Sequence, residues 1–261
     1  MRRRLFALAA LAGLLIATDV AAQSAVEGCD VPGELRGLHA RLPNTAEAVG
    51  KGRELVVVAL GSSSTVGVGA SRPDIAYPAQ LEAALRRAWP ALAIVVHNEG
   101  VGGETAAQML ARLESSVLVH RPQLVIWQVG GNGLLQDRDV AEHGNLLRLG
   151  IARIAAAKSD VVLMDPQYAP RLLMNLRYRD VVDGIAAVAE ETRVGLLQRS
   201  DMMRYWVTSG GYRIDELIGP DQLHMSDIGY TCVARLLAEG VVAATRAALP
   251  SPAASLKEGV K

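Results

Sequence analysis

Residues 55–60 read Leu-Val-Val-Val-Ala-Leu, six apolar residues with no polar break. A strand with one wet face would show a polar residue at every second position, so this run belongs to a strand buried on both faces. Four more short apolar runs follow, at 93–96, 124–129, 161–164 and 194–197. Between and after them apolar residues recur at helical spacing, over 77–89, 105–119, 140–157, 178–192 and 226–249. Pro90 stops the first of these helices and Asp165-Pro166 stops the fourth strand, while Ser226 and Asp227 suit the start of the last helix. The alternation predicts an α/β fold of three layers, α/β/α, around a mostly parallel five-stranded sheet.

Half of the 261 residues are apolar, enough for one domain with a sizeable core, and the single Phe leaves that core to Leu, Val, Ile and Ala. The domain is expected over 54–249, after an N-terminal extension at 23–53 without clear periodicity and before a loose tail at 250–261. Lys plus Arg number 27, as do Asp plus Glu, which gives no sign of nucleic acid or an anionic membrane as partner. Arg2, Arg3 and Arg4, an apolar stretch to Ala17 and the small residues Val20-Ala21-Ala22 read as a signal peptide over 1–22, cleaved before Gln23. The expectation is a periplasmic or secreted protein with no stable membrane insertion after cleavage. In that setting Cys29 and Cys232 can form a disulfide.

In a parallel sheet the loops after the strands gather on one edge, where ligands bind. Here those loops hold Gly61-Ser62-Ser63-Ser64, Asn98 to Thr105, and Gly130-Gly131-Asn132-Gly133, with Asp221-Gln222-Leu223-His224 before the last helix. A serine hydroxyl needs a base to take its proton, a group that holds the base's tautomer, and donors aimed at the oxyanion. His224 is the natural base, Asp221 can hold its other nitrogen, and the glycine loops and an asparagine supply donors.

The order and spacing of these blocks resemble the SGNH, or GDSL-type, hydrolase family over residues 54–248, and imply its flavodoxin-like fold. Gly61-Ser62-Ser63 matches the first block and makes Ser63 the nucleophile. Asn98, Gly100, Gly103 and Thr105 match the second, Gly130 and Asn132 the third, Asp221 and His224 the last. The resemblance implies an oxyanion hole from Ser63, Gly103 and Asn132. Ser62 stands where the family has aspartate and Gly133 where one often follows the asparagine, which puts the rigidity of the nucleophile loop and a substrate wall in question. Ser62 and Tyr168 are further candidates for substrate contact.

Other readings are weaker. The serines could simply cap a helix. Gly67-Val68-Gly69 lacks the third glycine of a dinucleotide turn, and Arg72 sits there. His39, His97, His120 and His143 form no paired ligand motif, so no metal is expected. The reading is an exported hydrolase of small-molecule, lipid or glycan esters that needs no cofactor. The alternative is an O-acyltransferase or deacetylase acting on envelope or extracellular glycans.

Overall fold

All residues of the two strands Leu124–Gln128 (β3) and Asp160–Met164 (β4) are buried, as unbroken apolar runs require. They form one sheet with Leu55–Gly61 (β1), Ile94–Gly100 (β2) and Gly195–Leu197 (β5), in the order β2-β1-β3-β4-β5 with every neighbouring pair parallel. A computed structural model describes residues 28–250 of the chain. The expected signal segment lies outside them.

The helices are Pro43–Gly50 (α1), Ser63–Val66 (α2), Tyr77–Ala88 (α3), Ala106–Ala111 (α4), Gly131–Leu135 (α5), Val140–Ala156 (α6), Pro170–Leu173 (α7), Tyr178–Thr192 (α8), Arg199–Thr208 (α9), Ile214–Leu217 (α10) and Asp227–Ala248 (α11). α1, α3 and α11 pack together as one helical layer and α4, α6 and α8 as the other, the arrangement that the usual right-handed crossovers of a parallel sheet produce. Trp127 of β3 is fully buried and donates Nε1–H to the Met109 sulfur. Gly150 of α6 leaves it room, since a Cβ there would lie 2.4 Å from the indole ring.

The structure departs from expectation in three places. The strand expected at 93–96 runs on to Gly100, so Asn98 and Gly100 lie in the strand and not in a loop after it. The reason is position: β2 is at the sheet's edge, pairs only with β1, and tolerates half-exposed polar residues. Arg86 donates to the Ile94 carbonyl at 2.9 and 3.1 Å and Glu82 accepts from the Val96 N–H at 2.8 Å. The helix expected at 105–119 breaks after Ala111 into a π turn, Leu113–Val117, and a 3₁₀ turn, Leu118–His120. At the break, Arg112 reaches the Glu104 carboxylate and the Glu99 carbonyl.

The extension carries the third departure. It holds α1, whose first turn is tied to buried Asp160 by four donors: the Asn44 and Thr45 amides, the Asn44 side chain and the Thr45 hydroxyl, at 2.8–3.3 Å. A carboxylate at a helix N-terminus meets both unpaired N–H groups and the positive end of the dipole.

Cys29 and Cys232 are both fully buried and are joined, closing a loop of 203 residues between the extension and α11. The chain-entropy model puts the upper bound on its stabilisation at about 5 kcal/mol. Replacing either cysteine by serine should therefore lower stability by roughly 2–5 kcal/mol, and the two variants should match each other. Urea unfolding with and without reductant checks this, and a wild-type midpoint in either variant would contradict it.

His143 on α6 is buried and its Nε2 has no partner among the described residues. Burial pushes its pKa down from 6.5 to about 4. The folded value lies below the unfolded one, so the unfolded chain takes up the proton first as pH falls. Stability from neutral His143 is complete above pH 6.5 and drains away towards pH 4, by roughly 3 kcal/mol in all. A His143→Leu variant should show a flatter stability profile across that window.

Candidate active site

The sheet order reverses between β1 and β3, with β2 beyond one and β4 and β5 beyond the other. The crevice at such a switch point is where doubly wound sheets bind ligands. Ser63 opens α2 directly after β1, and Asn132 lies in α5 directly after β3. Both residues therefore flank the crevice.

Ser63 Oγ lies 2.8 Å from His224 Nε2. The other ring nitrogen, Nδ1, is bonded to an Asp221 carboxylate oxygen. The second Asp221 oxygen accepts from the Leu223 and His224 amides at 3.0 and 2.9 Å. Partial burial acts to raise the Asp221 pKa, but the bonds from the His224 ring and the two amides outweigh it. The carboxyl is held below the usual aspartate range and stays ionised at neutral pH. An ionised Asp221 fixes the proton on Nδ1 and leaves Nε2 as acceptor for the serine proton.

The Asp221–His224 turn is closed at its base by Gly219 N–H on the His224 carbonyl at 2.8 Å and by a bridge between Ile218 and Met225. Gln222 inside it takes a left-handed φ of +59°. The loop after Ser63 is then clasped to the start of α11. The Ser71 N–H and hydroxyl both donate to the Asp227 carboxylate, and the Tyr230 hydroxyl donates to the Val68 carbonyl at 2.8 Å. A Cβ at Gly69 would sit 2.4 Å from the Met225 carbonyl oxygen, so only glycine lets the two loops come this close.

Three donors converge on one buried oxygen beneath the Ser63 turn. Gln128 Oε1, at the end of β3, accepts from the Ser62 N–H, the Ser62 hydroxyl and the Thr65 hydroxyl at 2.9, 3.1 and 3.2 Å. Ser62 is only 5% exposed, so its hydroxyl serves the nucleophile turn and does not face substrate, contrary to the expectation of a substrate contact. Tyr168 is half-buried after β4, and its neighbour Gln167 donates to the Leu223 carbonyl at 2.9 Å. Ser64 is buried at 2% exposure, whereas Ser63 is partly exposed.

The second and third blocks are also brought together. Asn132 Nδ2 donates to the Glu104 carbonyl at 2.9 Å and Gln136 Nε2 to the Gly103 carbonyl at 3.0 Å. Gly103 is exposed with φ +81°, and neither its N–H nor that of Ser63 has an acceptor among the described residues. Asn98 holds the end of β2 to the nucleophile turn through its Nδ2 on the Thr65 carbonyl at 2.8 Å. Thr105 starts α4 in a capping box with Gln108. Gly133 borders a cavity of about 210 Å³ shared with Thr105, Arg138 and His143. His97 is stacked on His120 at 3.9 Å, outside this constellation.

Gln128, Gly69 and the Ser71–Asp227 pair were not anticipated. A lone polar residue inside the apolar run 124–129 was the available signal for the first.

The model of the Non-GDSL lipase-like family matches residues 28–247. The chain belongs to that family. Ser62 in the aspartate position of the first block accords with its name. Among solved structures, a two-domain esterase active on acetylated mannans matches with a TM-score of 0.67 at 20% identity, over 81% of this chain and 56% of that one. This chain thus spans little more than half the length of that esterase. An acetyl xylan esterase matches at 0.60 and 20% identity, over 70% of this chain and 98% of the other. A lipase/acylhydrolase from Enterococcus faecalis matches at 0.60 and 26% identity, over 72% and 96%. The fold is that of SGNH/GDSL-type hydrolases. No curated protein sequence matches the chain.

Gln128→Leu strands a buried amide and two hydroxyls and should cost about 1–3 kcal/mol. It should also slow the reaction of Ser63 with a fluorophosphonate by roughly 10²-fold, because the turn is no longer fixed. Gln128→Glu keeps an acceptor oxygen and should recover most of both losses. Urea unfolding and labelling rates report the two effects.

Proposed function

We propose that this Non-GDSL lipase-like protein is an exported serine hydrolase of carboxylic esters. The observation that carries the reading is Ser63 Oγ at 2.8 Å from His224 Nε2, with Asp221 on the far ring nitrogen. His224 takes the Ser63 proton as Oγ attacks the ester carbonyl carbon. The Ser63 and Gly103 N–H groups and the second Nδ2 hydrogen of Asn132 receive the negative charge on the carbonyl oxygen. The tetrahedral intermediate collapses as His224 gives the proton to the leaving alcohol. Water, deprotonated by the same imidazole, then attacks the acyl-serine and releases the acid. No cofactor enters these steps. Export is proposed from the signal-like segment, and the Cys29–Cys232 bridge supports it, since such bonds persist in oxidising compartments.

A second reading, deacetylation or acyl transfer on glycans, is favoured by the acetylated-mannan and acetyl-xylan activities in the descriptions of two structural neighbours.

Ser63→Ala should abolish fluorophosphonate labelling and cut ester hydrolysis by at least ~10³-fold, while Ser64→Ala keeps both. A charged imidazole cannot accept the serine proton, so the rate should fall in acid. Labelling that survives Ser63→Ala would reject the assignment. Acetate release from acetylated mannan or xylan, measured beside nitrophenyl esters of increasing chain length, separates the two readings. Acyl product formed with added glycan identifies transfer.

A further inference from the structure

Nine large apolar side chains are exposed among the described residues, and seven of them stand at the carboxyl edge of the sheet. Val66 and Val68 follow Ser63, Val101 precedes Gly103, Leu135 follows Asn132, and Leu173, Met174 and Leu176 lie in and beyond α7. The concentration is not what a monomer's scattered surface residues give.

These loops adjoin one another around the crevice. Gly100 presses against the Val66 amide, so α2 and the loop holding Val101 are in contact. Asn175 Nδ2 donates to the Leu134 carbonyl at 3.0 Å, which joins the α7 segment to α5. Arg171 N–H donates to the Gln222 carbonyl at 3.1 Å, which joins α7 to the Asp221–His224 turn. The apolar residues therefore form a rim about Ser63.

Two further observations indicate what the rim meets. Met174 is 81% exposed and Leu176 99%, so they project outward and do not line a groove. Arg138 and Arg171 are exposed in the same loops, and among the described residues neither pairs with a carboxylate, whereas nearby Arg177 pairs with Asp137. Protruding aliphatic side chains flanked by unpaired guanidinium groups match a surface of acyl chains under phosphate headgroups. The overall charge balance of the chain conceals this local arrangement. None of the nine side chains is aromatic. A second copy seated on the rim would close access to Ser63.

We propose that this rim docks the protein on a phospholipid surface, from which the crevice takes an ester carrying a long hydrocarbon chain. Met174 and Leu176 enter the acyl region and Arg138 and Arg171 meet the phosphates. The substrate half of this inference rests on the ester-hydrolase reading; the docking half does not.

The test uses the protein recovered after export and its Met174→Glu/Leu176→Glu double variant. Each is sedimented with equimolar phosphatidylcholine–phosphatidylglycerol vesicles and assayed on water-soluble nitrophenyl acetate and on a long-chain ester held in the vesicles. The wild type should sediment with vesicles, and the variant should bind at least ~10-fold more weakly, a loss of about 1.4 kcal/mol. The variant should lose activity on the vesicle-borne ester in proportion, with hydrolysis of nitrophenyl acetate and the thermal midpoint unchanged. Wild type left in the supernatant, equal binding of the variant, or a solution dimer that the substitutions dissociate would each overturn docking. Vesicle binding without hydrolysis of either ester would instead overturn the ester reading, and with it the substrate half.

Discussion

The hydrogen bond from Ser63 to His224 spans 161 positions of sequence, and everything proposed for the site depends on it. Neither residue is held by the other. The sheet fixes the Ser63 turn at the end of β1, and His224 sits in the turn that leads into α11. What sets the distance is the clasp between them: Ser71 on Asp227, Val68 on Tyr230, and the bare backbone of Gly69 against Met225. The disulfide joins the chain at Cys232, a turn or so into α11, so the end of the helix that presents the base is also the end that is covalently anchored. The clasp thus ties both turns to the anchored end of a long helix.

The serine at position 62 shows how one missing carboxylate is compensated. The nucleophile turn still needs its N–H and hydroxyl groups satisfied when it is folded tightly enough to expose Ser63. A neutral amide on β3 supplies the acceptor, and Gly61 supplies the space: a Cβ there would lie 2.0 Å from the Thr65 hydroxyl and 2.8 Å from Gln128 Oε1. The turn is pinned by a side chain from the neighbouring strand, across the same boundary that forms the crevice. A charge is not required for that, only an oxygen within reach of three donors.

The sheet and the candidate side chains at its edge were legible in the sequence for a common reason. Buried parallel strands leave unbroken apolar runs, and a nucleophile, base and orienter must be specific residue types at the ends of such runs. Where either condition lapses, so does legibility. β2 extends through His97, Asn98 and Glu99 because an edge strand has no second neighbour to exclude water, and a polarity-based reading ends it early. α1 has no long apolar face and is held by Asp160, more than a hundred residues away. Gln128 looks like any strand-terminal polar residue until its partners are known. Gly69 carries no sign of its role, since the left-handed φ of +94° and the close approach of Met225 that it accommodates are set by the folded turn and by another part of the chain.

The outer side of β2 has a consequence for how these molecules behave in company. An edge strand offers unpaired carbonyl and amide groups to any other extended chain, which is the usual start of aggregation. Here side chains already occupy two of those groups: Arg86 on the Ile94 carbonyl and Glu82 on the Val96 amide. An incoming strand would have to displace a guanidinium group and a carboxylate before it could pair along that stretch. The first half of that edge therefore ends in charge, which hinders fibril growth from it when the protein is crowded.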